Sequence, residues 1–213
     1  MFGSRDGHWS VAWFRERVHA SWYLLLPLAL FIALAGGTGR LSTRTMTAFF
    51  GIVAFRLWDD VADLPHDRKH HPERVLCRRI STTEPFFYAL GGLAFTAASI
   101  GFTRAAIAPF LGAVLASHGA FVARVAWPHL RGLFAHVILL KVPAIVLGLA
   151  LPDTPPIVVL GRAITLYGVV AAYELVHDED ARRGPLAPAL VLLDVVCLCA
   201  GPALWLIHDR AFF

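Results

Sequence analysis

The sequence predicts an all-α, membrane-embedded helical bundle of about seven transmembrane helices. Three observations carry this. Of 213 residues, 57% are apolar and only 16% charged, with a mean hydropathy of +0.63; a soluble domain averages about 25% charged. Long apolar stretches recur along the whole chain instead of gathering in one region. No period-two alternation is sustained, and in lipid a helix is the economical way to satisfy every backbone N–H and C=O. Disorder is excluded, and a water-soluble enzyme is disfavoured.

The elements follow in order. Residues 1–20 are polar, with Trp9, Trp13 and Phe14 beside Arg5, Arg15 and Arg17, as in an amphipathic segment lying at the membrane interface. They lack the pattern of a cleavable signal peptide. Residues 21–213 form a single transmembrane domain, with apolar segments at 21–37, 45–58, 86–102, 105–122, 132–151, 157–177 and 187–207. A crossing needs about 20 residues, so the second segment spans only if its flanks extend it. With seven spans, thirteen of the nineteen Lys and Arg fall on one side and four on the other. That imbalance predicts a cytoplasmic N-terminus and cytoplasmic even-numbered loops. The net charge of +4 is no sign of nucleic acid, because the distribution outweighs the sum. Cys77, Cys197 and Cys199 make neither a disulfide framework nor a zinc set.

The acids are concentrated. Eight of fifteen lie in two stretches, Asp59, Asp60, Asp63 and Asp67, then Glu174, Asp178, Glu179 and Asp180, at the ends of the second and sixth segments. Asp60, Asp63 and Asp67 are three and four residues apart, so a helix continuing out of the second segment stacks them on one face, unless Pro65 ends it. Stacked like charges repel, and a divalent cation removes the conflict. Mg²⁺ takes carboxylate oxygens and keeps positions for substrate phosphate. Glu174 and Asp178 share a helix face, with Asp180 just beyond. Arg56, Arg68, Lys69 and Arg182 are placed to contact an anion such as diphosphate, and Tyr173 is a further substrate-contact candidate. Lys141 and Asp194 lie within apolar segments, where charge is costly, and are expected either to line one polar cavity or each to pair with a neighbouring helix.

Asp59-Asp60-Val-Ala-Asp63-Leu-Pro-His-Asp67 resembles the NDxxDxxxD motif of the UbiA superfamily of intramembrane prenyltransferases, with Asp59 where Asn is usual. Its place after the second helix matches, as does a second acidic motif after the sixth, although the second matches only in part. The resemblance covers roughly residues 20–205. It implies that Asp60, Asp63, Asp67 and Asp178 are catalytic. It also implies that these acids, with Glu174 and Asp180, hold Mg²⁺ against the diphosphate of an isoprenoid donor. The family has about nine spans, so this chain is shorter than expected.

Three functions stay open: prenyl transfer to an acceptor, which dominates the family; cyclisation of the prenyl cation; and lipid or partner binding without turnover. A CDP-alcohol phosphotransferase needs a Gly after its second Asp, where Leu64 stands here. His66-Asp-Arg-Lys-His70-His71 has the spacing of one di-iron histidine box but lacks companion boxes.

Overall fold

The computed structural model describes residues 8–79, 81–101 and 104–210, apart from the side chains of residues 104–106, 180 and 208–210. Among the described residues every regular element is helical. The elements are α1 (Trp9–Arg17), α2 (Trp22–Ala35), α3 (Leu41–Ala62), α4 (Leu64–His70), α5 (Thr83–Ile100) and α6 (Arg104–Ala126), then α7 (Arg131–Ile138), α8 (Lys141–Gly148), α9 (Pro156–His177), α10 (Glu179–Arg183) and α11 (Ala187–Arg210).

Five stretches are long and apolar enough to cross a membrane: Trp9–Ala35, Ile107–Ala126, Pro128–Gly148, Pro156–His177 and Ala187–Ile207. The segments expected at 45–58 and 86–102 are helical as α3 and α5 but are not among the five. Arg44, Arg56, Asp59 and Asp60 interrupt α3, and α5 opens on Thr83, Glu84 and Pro85. The segment expected at 132–151 is broken between α7 and α8. Pro143 supplies the reason, since it has no N–H for the Leu139 carbonyl and its ring presses on that carbonyl. The helix therefore restarts at Lys141, with Pro143 in its first turn.

The core sits where α2, α3, α5 and α8 meet, around Ile32, Phe55, Leu93 and Ile145. The most extensive helix contact joins α9 to α11. Small residues allow that approach: a Cβ on Gly161 would lie 2.7 Å from the Gly201 carbonyl oxygen, and one on Gly201 would lie 2.7 Å from Thr165 N. The outer face of α11 is apolar and uncovered, with Leu192 64% and Ile207 68% exposed, as suits a lipid-facing surface.

Two polar contacts, one buried and one half-buried, fix helix ends. Arg44 on α3 donates to the carbonyls of Gly37, just past α2, and Leu149, at the end of α8. A guanidinium there satisfies orphan carbonyls and opposes the negative ends of two helix dipoles. At the other end of α3, Lys141 at the start of α8 pairs with Asp59.

Candidate functional site

The C-terminal turns of α3, α6 and α9 converge at one end of the bundle with α7, the start of α8 and Arg17 of α1. Three helix C-termini bring negative potential to this point, which favours cations beside them. The space they enclose is a cavity of about 290 Å³. Five cations line it (Arg17, Arg56, Arg124, Arg131 and Lys141) together with four carboxylates (Asp59, Asp63, Glu174 and Asp178). Phe121, Ile138 and Leu139 form an apolar wall. The two acidic stretches therefore meet across one cavity.

The face of α3 that reaches the cavity differs from the expected one. Arg56, Asp59 and Asp63 reach the cavity, while Asp60, about 100° round the helix from Asp59, faces α1 instead. Asp60 is buried against α1, where Arg17 Nε and Trp13 Nε1 each donate to Oδ2 at 2.9 Å. Asp67 belongs to a separate helix, because α3 stops at Ala62 and α4 begins with Pro65 in its first turn. It is buried and paired with Arg74. The expected single face of Asp60, Asp63 and Asp67 is thus corrected to Arg56, Asp59 and Asp63.

Each Asp of the first stretch has its own cation from a different part of the chain. Lys141 of α8 pairs with Asp59, Arg17 of α1 with Asp60, and Arg74 with Asp67; Arg124 of α6 lies 3.5 Å from Asp63. Asp178 caps α10, accepting from Ala181 N at 3.1 Å. Among the described residues, Arg56 and Glu174 are the two lining charges with neither a hydrogen bond nor an ion pair, and Arg56 Nε is buried without a partner. An unpaired guanidinium facing a cavity is a ready contact for an anion.

Other expected site residues lie elsewhere. Asp194 does not share a cavity with Lys141. It is buried between α7 and α11, with Oδ1 3.2 Å from His136 Nε2, while Tyr167 Oη donates to the His136 carbonyl at 3.3 Å. Arg68 is exposed and donates to the Arg79 carbonyl. Tyr173 is 45% exposed and stacks on His177. Arg182 is exposed and does not line the cavity. Lys69 lines an adjoining space of about 350 Å³ with His66, His70 and four residues shared with the first cavity. Burial, with Arg131 beside it, pushes His66 below the ordinary histidine range. The side chain of Asp180 lies outside the described residues. Arg17, Arg124 and Arg131, absent from the expected site, come from segments where Arg reads as a membrane-flanking charge.

The cavity's donor set is the right chemistry for a hard divalent ion. Asp59, Asp63, Glu174 and Asp178 offer only carboxylate oxygens, and Asp59 Oδ1 is buried without a hydrogen-bond partner. Among the described residues no three His, Cys, Asp or Glu side chains converge on one point.

No family model, curated protein sequence or solved structure matches the chain.

Proposed function

We propose that the protein is an integral membrane enzyme that ionises an isoprenoid diphosphate and transfers the prenyl group to an acceptor, as the UbiA superfamily does. The carrying observation is the cavity in which both acidic stretches, five cations and an apolar wall meet. On this reading α3 and α5 complete a bundle of seven crossing helices, and the charged end faces the cytoplasm.

Arg56 and Lys141 contact the diphosphate oxygens, and Phe121, Ile138 and Leu139 receive the first isoprene unit and keep water from the cation. Asp59, Asp63, Glu174 and Asp178 hold Mg²⁺, which when bound neutralises charge on the leaving diphosphate. Cyclisation uses the same ionisation, with the cation closing on its own double bonds.

A second reading is favoured by one observation: every Asp of the first stretch is already matched by a cation. Such a hub ties helices together, as a lipid-binding protein without turnover would need. Incubation of the purified protein with geranyl, farnesyl and geranylgeranyl diphosphates plus Mg²⁺ decides between them. Diphosphate release supports the enzyme, and no release at any chain length supports the binding protein. Among released products, a cyclic hydrocarbon formed without acceptor assigns a cyclase, and strict dependence on an added acceptor assigns a transferase.

A further inference from the structure

The adjoining space beside α4 differs in charge from the cavity it joins. Among the described residues three permanent cations, Lys69, Arg124 and Arg131, line it with one carboxylate, that of Asp63. In the first cavity five cations face four carboxylates. The two spaces share Asp63, Phe121, Arg124 and Arg131, so they are lobes of one site.

The histidines fit this better than they fit a metal. His70 Nδ1 lies 3.0 Å from the His66 carbonyl oxygen. A carbonyl only accepts, so that nitrogen carries its proton. Arg131 Nη1 lies 3.1 Å from His66 Nε2 and 3.3 Å from Nδ1, so the guanidinium packs against the imidazole ring, which helps to position it. The two rings stack with centroids 4.0 Å apart, and among the described residues they join no group of three metal-ligand side chains. Lys69 is exposed and, among the described residues, makes no ion pair or hydrogen bond.

We infer that the second lobe is a phosphate seat, in which Lys69, Arg124 and Arg131 hold the oxyanion oxygens of the ligand while the carboxylates of Asp59, Glu174 and Asp178 stay in the first lobe. Guanidinium and ammonium donors give charge-assisted bonds to phosphate oxygens, and His66 keeps the Arg131 fork in place. The ligand's phosphate is that of an isoprenoid diphosphate or of a lipid headgroup. For the first of these the inference rests on the function proposed above.

The test is calorimetric titration of the full chain in neutral detergent with inorganic diphosphate, in EDTA. Wild type is expected to bind. Lys69→Glu is expected to weaken binding at least about tenfold. Arg78→Glu, an exposed charge outside both lobes, is expected to stay within about twofold. Absence of binding, or equal losses in Lys69→Glu and Arg78→Glu, overturns the seat. Competition separates the two sources: displacement of diphosphate by phosphatidylglycerol, but not by phosphatidylcholine, assigns a headgroup, and no displacement assigns the isoprenoid ligand. The seat and the enzyme fail separately. Diphosphate release with an unchanged KM in Lys69→Glu removes the seat and leaves the enzyme. Lys69-dependent binding without release from any prenyl diphosphate removes the enzyme and leaves the seat.

Discussion

Arg17 and Asp60 hold α1 against α3 through two parallel contacts, Nε to Oδ2 at 2.9 Å and Nη2 to Oδ1 at 2.5 Å. Asp60 is only 7% exposed, so removing either partner leaves the other charge unmatched in a poorly hydrated place. Arg17→Met and Asp60→Asn are each expected to lower stability by up to roughly 3 kcal/mol. The double variant should lose less than the sum, with a coupling of about 1–3 kcal/mol. Thermal unfolding of the four proteins in detergent measures this. Strictly additive losses would show that the contact does not hold α1 in place.

The Lys141–Asp59 pair makes a sharper case for rescue. Lys141→Met leaves a half-buried carboxylate between α3 and α8 and should cost roughly 2–4 kcal/mol. Adding Asp59→Asn removes the orphan charge and should recover part of that loss. If the second substitution lowers the melting temperature further, the pair is not what Lys141 supplies.

Asp63 should behave differently. Its contact with Arg124 is long, 3.5 Å, and its side chain is 28% exposed, so Asp63→Ala is expected to change stability by less than about 1 kcal/mol. Diphosphate release should nevertheless be lost. An unfolded variant would assign Asp63 to architecture instead.

Much of the helical plan was legible in the sequence, because apolar runs of crossing length mark α2, α6, α9 and α11. Charges set in apolar surroundings marked six of the cavity residues: Arg56, Asp59, Asp63, Lys141, Glu174 and Asp178. The register of α3 was not legible. Residues 56, 59 and 63 and residues 60, 63 and 67 have equally good helical spacing, and packing against α1 decides which set turns inward. Nor could spacing find Arg17, Arg124 and Arg131, which reach the cavity from other elements. The break at Leu139–Leu140 did have a local cause, in Pro143.

Close packing of α9 on α11 gives a separate test. Gly201→Leu would drive a side chain into the Thr165 backbone and the Gly161 carbonyl, so the helices must part. A loss of about 1–3 kcal/mol is expected, read as a lower unfolding temperature. An unchanged value would mean that α11 docks by another face.

Asp194 and His136 offer a test by isostere. His136 Nδ1 lies 3.0 Å from the Gly132 carbonyl oxygen, so it is protonated, and the contact with Asp194 carries one shared proton. The pair is therefore neutral as a unit. Asp194→Asn, which still donates to Nε2, should be tolerated within about 1 kcal/mol, whereas Asp194→Ala leaves Nε2 unsatisfied and should cost about 1–3 kcal/mol. Equal losses from both would mean that the charge, not the hydrogen bond, is what the site needs.

The Arg44 contact bears on how the charged end can open. Fifteen residues separate Arg44 from Asp59, about 22 Å of rise along α3, and both ends are pinned to α8, one through the Leu149 carbonyl and the other through Lys141. A rod pinned at two points cannot slide along its neighbour without releasing one pin. Axial shear between α3 and α8 is therefore closed to this bundle.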